Sequence, residues 1–191
     1  MRGTLAMRET QLDRACQNNL RILGKVGPQD LDAPTPCLSW DVRALVNHFI
    51  GTARWWAAIV TGADEPAEED YAAGDLVAEY KASIEVATAA FEADGAMEKT
   101  VPLPFGEFPG TVVLSMAALD QFAHGWDLAH ALGLPTDLDP ALAGELLNQA
   151  RQTIPDAFRG PDGQAPFGPA LEAPSGAGSA DQLAAFLGRR V

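Results

Sequence analysis

The chain has 191 residues, a length that suits one domain with a sizeable buried core. Its 13 Lys and Arg stand against 26 Asp and Glu, a formal net charge of -13 that repels phosphate backbones and anionic lipid, so neither nucleic acid nor membrane is an expected partner. No apolar run spans a bilayer, the N-terminus lacks the basic-then-apolar order of a secretory signal, and Cys16 and Cys37 are too few for a disulfide framework, so a reduced, cytoplasmic protein is expected.

Residues 10–25 carry Leu12, Ala15, Cys16, Asn19, Leu20, Ile22 and Leu23 near three-and-four spacing, which predicts a helix burying one face, stopped by Gly27-Pro28. Pro34 and Pro36 then make 30–40 a connecting loop that delivers Cys37 to the next helix, with Ser39 or Asp41 as its N-cap. Residues 41–61 are the clearest helix. Val42, Leu45, Val46, Phe49, Ile50, Ala53, Trp56, Ala57 and Val60 form one row, and His48, Thr52, Trp55 and Ile59 form a second, about 120° round at roughly 100° per residue. Such a helix meets neighbours on two sides.

Residues 63–74 read as an exposed loop and 75–94 as a third helix. The ten acidic residues and single lysine of 63–94 form a solvated face, or else a guide for a cationic partner. The prolines, glycines and aromatics of 100–110 suit a small hairpin or irregular loop. Residues 111–132 are apolar around most of a helical circumference, which predicts a position near the centre of a bundle, with Gly133 and Pro135 ending it. Asp139-Pro140 opens a helix to Ile154. Ten Pro or Gly in 155–178 make a long surface connection, and 181–187 offer a last short helix. The order predicts an all-α fold of one domain over 1–191: a bundle of four main helices with short C-terminal additions.

Two of the three histidines lie in the run Asp120-Gln-Phe-Ala-His124-Gly-Trp126-Asp127-Leu-Ala-His130. Asp120 and His124 project from one helix face a turn apart and can reach a common ion, and Asp127 follows on that face. His130 points about 120° away and reads as structural. A catalytic first-row metal usually takes three protein ligands, and His48, mid-helix on the second row, is the third candidate. The alternative is that these histidines are core residues satisfied by single hydrogen bonds, with Asp120 pairing to an arginine. Asp127 reads either as a carboxylate that orients a ligand imidazole or handles a proton, or as a plain structural acceptor. Trp55 and Trp126 are candidates to wall a substrate pocket beside the ion, although aromatics at helical spacing are more often core. Cys37 reads more readily as a small buried hydrophobe than as a nucleophile.

The run Pro34-Thr35-Pro36-Cys37-Leu38-Ser39-Trp40-Asp41-Val42-Arg43-Ala44-Leu45-Val46-Asn47-His48, the core His124-Gly125-Trp126-Asp127, Phe167-Gly168-Pro169 and the close Asp181-Gln-Leu-Ala-Ala-Phe186-Leu-Gly-Arg189 together resemble the actinobacterial DinB-like proteins. Within these, the chain resembles the subfamily related to the metal-binding domain of mycothiol-dependent maleylpyruvate isomerase. The resemblance implies a DinB-like four-helix bundle whose divalent metal, zinc or nickel, is held by His48, Asp120 and His124. The isomerase has glutamate where this chain has Asp120, one methylene shorter, and a second, C-terminal domain that this chain is expected to lack. What is implied is a metalloenzyme that uses a low-molecular-weight thiol, mycothiol, as an S-transferase or isomerase on a small electrophile. The competing readings are an enzyme of the same fold that works without thiol, and a non-catalytic small-molecule-binding bundle. A homodimer built on exposed aromatics at Trp55 and Trp56 is a further expectation.

Overall fold

The computed structural model describes residues 9–191. The reading of the extreme N-terminus against a secretory signal lies outside these residues. The first helix, α1 (Gln11–Leu23), opens with a capping box in which the Thr10 hydroxyl receives the Asp13 N–H and the Asp13 carboxylate receives the Thr10 N–H. The second, α2 (Val42–Thr61), is capped by Asp41, one of the two candidates, whose carboxylate receives the Ala44 N–H. It ends at Gly62 in the left-handed conformation. Asp75 caps α3 (Leu76–Glu92) in the same way.

The expected hairpin is present. Strands β1 (Thr100–Leu103) and β2 (Gly106–Pro109) pair antiparallel with Val101 opposite Phe108, and β2 runs directly into α4 (Gly110–Ala131). Then come α5 (Pro140–Thr153) and the short α6 (Ser179–Phe186). The first four helices form the bundle: α1 packs on α4, and α2 packs on both α3 and α4 as its two apolar rows require. The all-α, DinB-like bundle with small additions is therefore observed.

Every residue of α4 from Gln121 to Ala129 is buried, so this helix is the axis of the core. Gly125 on it meets a close approach. A Cβ there would stand 2.0 Å from Oδ1 of Asn19 on α1, so only glycine lets the two helices come so near. The polar sector of α2 finds partners as well, with Arg43 and Asn47 binding Asp70, and Arg54 binding Ser83 and Glu79. Trp56 is buried and Trp55 half-buried, so the two rings are not the exposed aromatics that the sequence suggests, and that part of the expectation is corrected. No helix among the described residues is long and apolar enough to cross a membrane.

Segment 155–178 is more than a bare connection. Its Arg159 donates to the carbonyls of Gly168 and Phe186, and its Asp162 receives the Ser39 N–H across 2.7 Å. It thus ties α6 to the loop that precedes α2.

Candidate metal centre

His48 on α2 and Asp120 and His124 on α4 come together at the α2–α4 contact, with one donor atom from each lying within 4.8 Å of the others. The Asp120 Oδ1 stands 3.6 Å from Nε2 of His124 and 3.9 Å from Nε2 of His48. Ligands about 2.0–2.1 Å from a tetrahedral ion stand about 3.3–3.4 Å from one another, so the carboxylate lies within a few tenths of an ångström of that spacing from each of the two imidazole nitrogens. The shorter Asp120 side chain therefore reaches both imidazoles. Its other oxygen is already used, receiving the Thr52 hydroxyl at 3.1 Å and the Gln121 amide at 3.3 Å, which leaves Oδ1 directed at the histidines. Thr52 is the residue one turn beyond His48 in the second row of α2, so that row is the wall of the site.

A buried chain of hydrogen bonds fixes this carboxylate from behind. Gln121 donates to the Phe49 carbonyl and receives the Tyr80 hydroxyl at 2.7 Å, and Tyr80 in turn receives the Asn19 amide at 3.0 Å. Burial would raise the Asp120 pKa, but the neighbouring His48, then the charge of His124 and the Thr52 hydroxyl, hold it down to about 2. The group is an anion at neutral pH.

Asp127 is fully buried, and its Oδ2 lies 3.1 Å from Nδ1 of His124. An ionised carboxylate only accepts, so Nδ1 carries a proton, and in the neutral imidazole Nε2 is then the nitrogen whose lone pair faces Asp120. Burial would raise the Asp127 pKa, but the charge of Arg189, then hydrogen bonds from His124 and Arg189, hold it well below the usual carboxylate range. Arg189 binds both oxygens, Nε to Oδ1 at 3.1 Å and Nη2 to Oδ2 at 2.9 Å.

Cys37 joins the same carboxylate, its thiol donating to Oδ2 of Asp127 at 3.3 Å. Burial, then the negative charge of Asp127, pushes that thiol up to about 12 against the opposing Arg189, so Cys37 is a neutral donor. Trp40 was not singled out in the sequence. Its ring lies 4.3 Å from the His48 ring and 5.5 Å from that of His124, and it is the aromatic wall of the centre. Thr35 shapes the loop that brings it there, its hydroxyl donating to the carbonyls of Cys37 and Trp40 and receiving the Cys37 N–H.

Of the two expected pocket tryptophans, Trp126 is corrected. Two residues after His124 it points about 200° away, to the far side of α4. There it is 1% exposed, and its indole N–H donates to Asp181 of α6 at 2.9 Å. Trp55 is half-buried on the His48 row and packs edge-on against Trp56. His130 is exposed on the outer end of α4 and stacks on Trp126, outside the cluster.

A helical bundle carrying an inward His, Asp and His set from two helices defines the class to which this protein belongs. The family described as "Mycothiol maleylpyruvate isomerase N-terminal domain" matches residues 12–129, and the chain belongs to that family, a metal-binding and mycothiol-associated one. Over 174 residues the chain is 41% identical to two Mycobacterium tuberculosis proteins, "Uncharacterized protein Rv0738" of strain H37Rv and "Uncharacterized protein MT0763" of strain CDC 1551 / Oshkosh, covering 89% of this chain and 91% of each of them. No solved structure matches the chain.

Proposed function

We propose that the protein is a metal-dependent enzyme that uses a low-molecular-weight thiol, mycothiol, to attack a small electrophile, as an S-transferase or an isomerase. The observation that carries this reading is the aim of three donor atoms at one point, with the imidazole of His124 oriented by a buried carboxylate. Residues His48, Asp120 and His124 would hold a divalent ion, zinc or nickel. When bound, the ion supplies the positive charge that keeps a ligated sulfur as its thiolate near neutral pH.

The chain's own residues do the rest. Asp127 holds the Nδ1 proton of His124, and Thr52 and Gln121 keep one oxygen of Asp120 occupied, so the donor atoms are set before any ligand arrives. Three protein donors would leave room for a thiol on a bound ion. Trp40 covers one side and keeps water from it, and Trp55, further along the His48 row, is the second aromatic for the substrate. Attack by the sulfur on an unsaturated carbon would form the S–C bond and displace the π pair onto the adjacent carbonyl system; in transfer that pair takes up the proton the thiol gave up, whereas in isomerisation it re-forms the π bond after rotation as the S–C bond breaks and the sulfur leaves as thiolate. Retention of the adduct is transfer, whereas loss of the thiol after bond rotation is isomerisation.

The test is thiol dependence. Purified protein supplied with zinc or nickel and an unsaturated electrophile is assayed with and without mycothiol. Consumption of the electrophile only with mycothiol is the expected result. Equal consumption without it transfers the reading to a Lewis-acid enzyme, and none under either condition removes the catalytic reading.

A further inference from the structure

Arg189 lies sixty residues beyond the part of the chain that the family description matches, yet its guanidinium sits beside the centre. The local sequence explains how. At the end of α6 the Gly188 N–H bonds to the Ala185 carbonyl and the Arg189 N–H to that of Ala184, while Gly188 takes φ of 96°. This is a Schellman turn, and it reverses the chain so that the next side chain points back into the bundle. Gly188 is needed twice over. A Cβ there would meet the backbone of Gly168 at 2.5 Å, so two glycines from the C-terminal arm stack where the turn is made.

Once turned inward, Arg189 has its side chain only 11% exposed and grips Asp127 with two parallel N–H donors. Its remaining contacts are the Leu187 carbonyl and the Cys37 sulfur. Asp127 has no exposure to water, and the two N–H donors of Arg189 fix the direction of both its oxygens, of which Oδ2 faces Nδ1 of His124 at 3.1 Å. The orientation of one donor of the centre therefore depends on a residue at the far end of the chain.

Resting on the metal-binding reading above, we infer that Arg189 is a positioning residue: through its paired hydrogen bonds to Asp127 it fixes the tautomer and direction of the His124 imidazole, so that the C-terminal arm completes the metal centre. Arg189 touches neither ion nor substrate in this role.

The test uses full-length protein and cobalt(II) as a spectroscopic probe. Cobalt is titrated into metal-free wild type, Arg189→Gln, Arg189→Lys, Asp127→Asn and the double variant Asp127→Asn/Arg189→Gln, with Arg151→Gln, at an exposed position of α5, as control and circular dichroism as the check of folding. The expected result is a loss of about 10–100-fold in cobalt affinity for Arg189→Gln with a shifted visible band, partial recovery in Arg189→Lys, and no change in the control. The double variant is expected to lose no more than Asp127→Asn alone, because both changes act on one pathway. Wild-type affinity and spectrum in Arg189→Gln, or losses that add fully in the double variant, would overturn the inference. Should Arg189→Gln fail to fold, Arg189→Lys decides, and wild-type behaviour there overturns it equally. A wild type that binds no cobalt would instead sink the metal-binding reading and the inference with it.

Discussion

His124 and Asp127, one turn apart on α4, share a contact of 3.1 Å between Nδ1 and Oδ2, and this contact leaves Nε2 of His124 as the free donor facing His48 and Asp120. The same carboxylate is gripped by Arg189, so a single buried anion links a donor of the centre to the C-terminal arm. Its removal should have two separable effects.

Asp127→Asn keeps the size of the side chain and removes its charge. Metal affinity is expected to fall about 10–100-fold, read by chelator competition. Breaking the pair also strands the Arg189 charge, at a cost of about 3–5 kcal/mol in the metal-free protein, read by urea unfolding. An unchanged affinity and stability would make Asp127 a bystander.

The acid limb of stability follows from the same groups. Asp120 and Asp127 have folded pKa values below the usual carboxylate value of about 3.9. A depressed folded value means that the unfolded chain takes up protons first, so the stability these groups contribute is present above about pH 4 and is lost as the pH falls through their folded values. The urea midpoint of the metal-free protein should hold from about pH 7 to pH 5 and drop steeply towards pH 2. The drop should be shallower in Asp127→Asn.

Both thiols run the other way. Burial pushes Cys16 and Cys37 up to about 12, so the native, metal-free protein holds them protonated. Labelling by a thiol reagent at pH 8 should be at least about a hundredfold slower than in urea-unfolded chain, where the ordinary value near 8.5 applies. Since the folded values are raised, the associated stability is complete below about pH 8.5 and fades as the pH rises towards 12. Rapid native labelling of Cys37 would contradict the neutral-donor assignment.

Gly125→Ala sets helix propensity against packing. In an open helix the change would gain about 1 kcal/mol. Here the new methyl would meet Oδ1 of Asn19 at 2.0 Å, and Asn19 is held by its bonds to Tyr80 and the Gln121 carbonyl. Overpacking costs about 1–3 kcal/mol and should win, giving a lower unfolding midpoint; a higher one would mean that Asn19 moves freely.

Much of this centre was legible in the sequence because helical spacing dictates it. Asp120 and His124 differ by one turn, and the row of His48 and Thr52 was visible as a second face of α2. The same arithmetic, applied to Trp126, places it on the opposite side of α4 from His124, where Asp181 holds it. Trp40, Cys37 and Arg189 were not legible as site residues. Trp40 and Cys37 are placed by the turn that Thr35 closes, and Arg189 by a Schellman reversal packed on Gly168, and no periodicity encodes contacts across such distances in the chain. The exposure expected of Trp56 failed for a related reason: the residue belongs to the apolar row and is buried by it.

The most direct test of the central claim is metal content by inductively coupled plasma mass spectrometry on untagged protein dialysed against metal-free buffer and then reloaded with zinc or nickel. The comparison is of wild type with His48→Ala and His124→Ala. Close to one equivalent of metal is expected in wild type, and its loss in both variants while their helical content is kept. A wild type that stays empty after reloading, or variants that bind as wild type does, would contradict that claim.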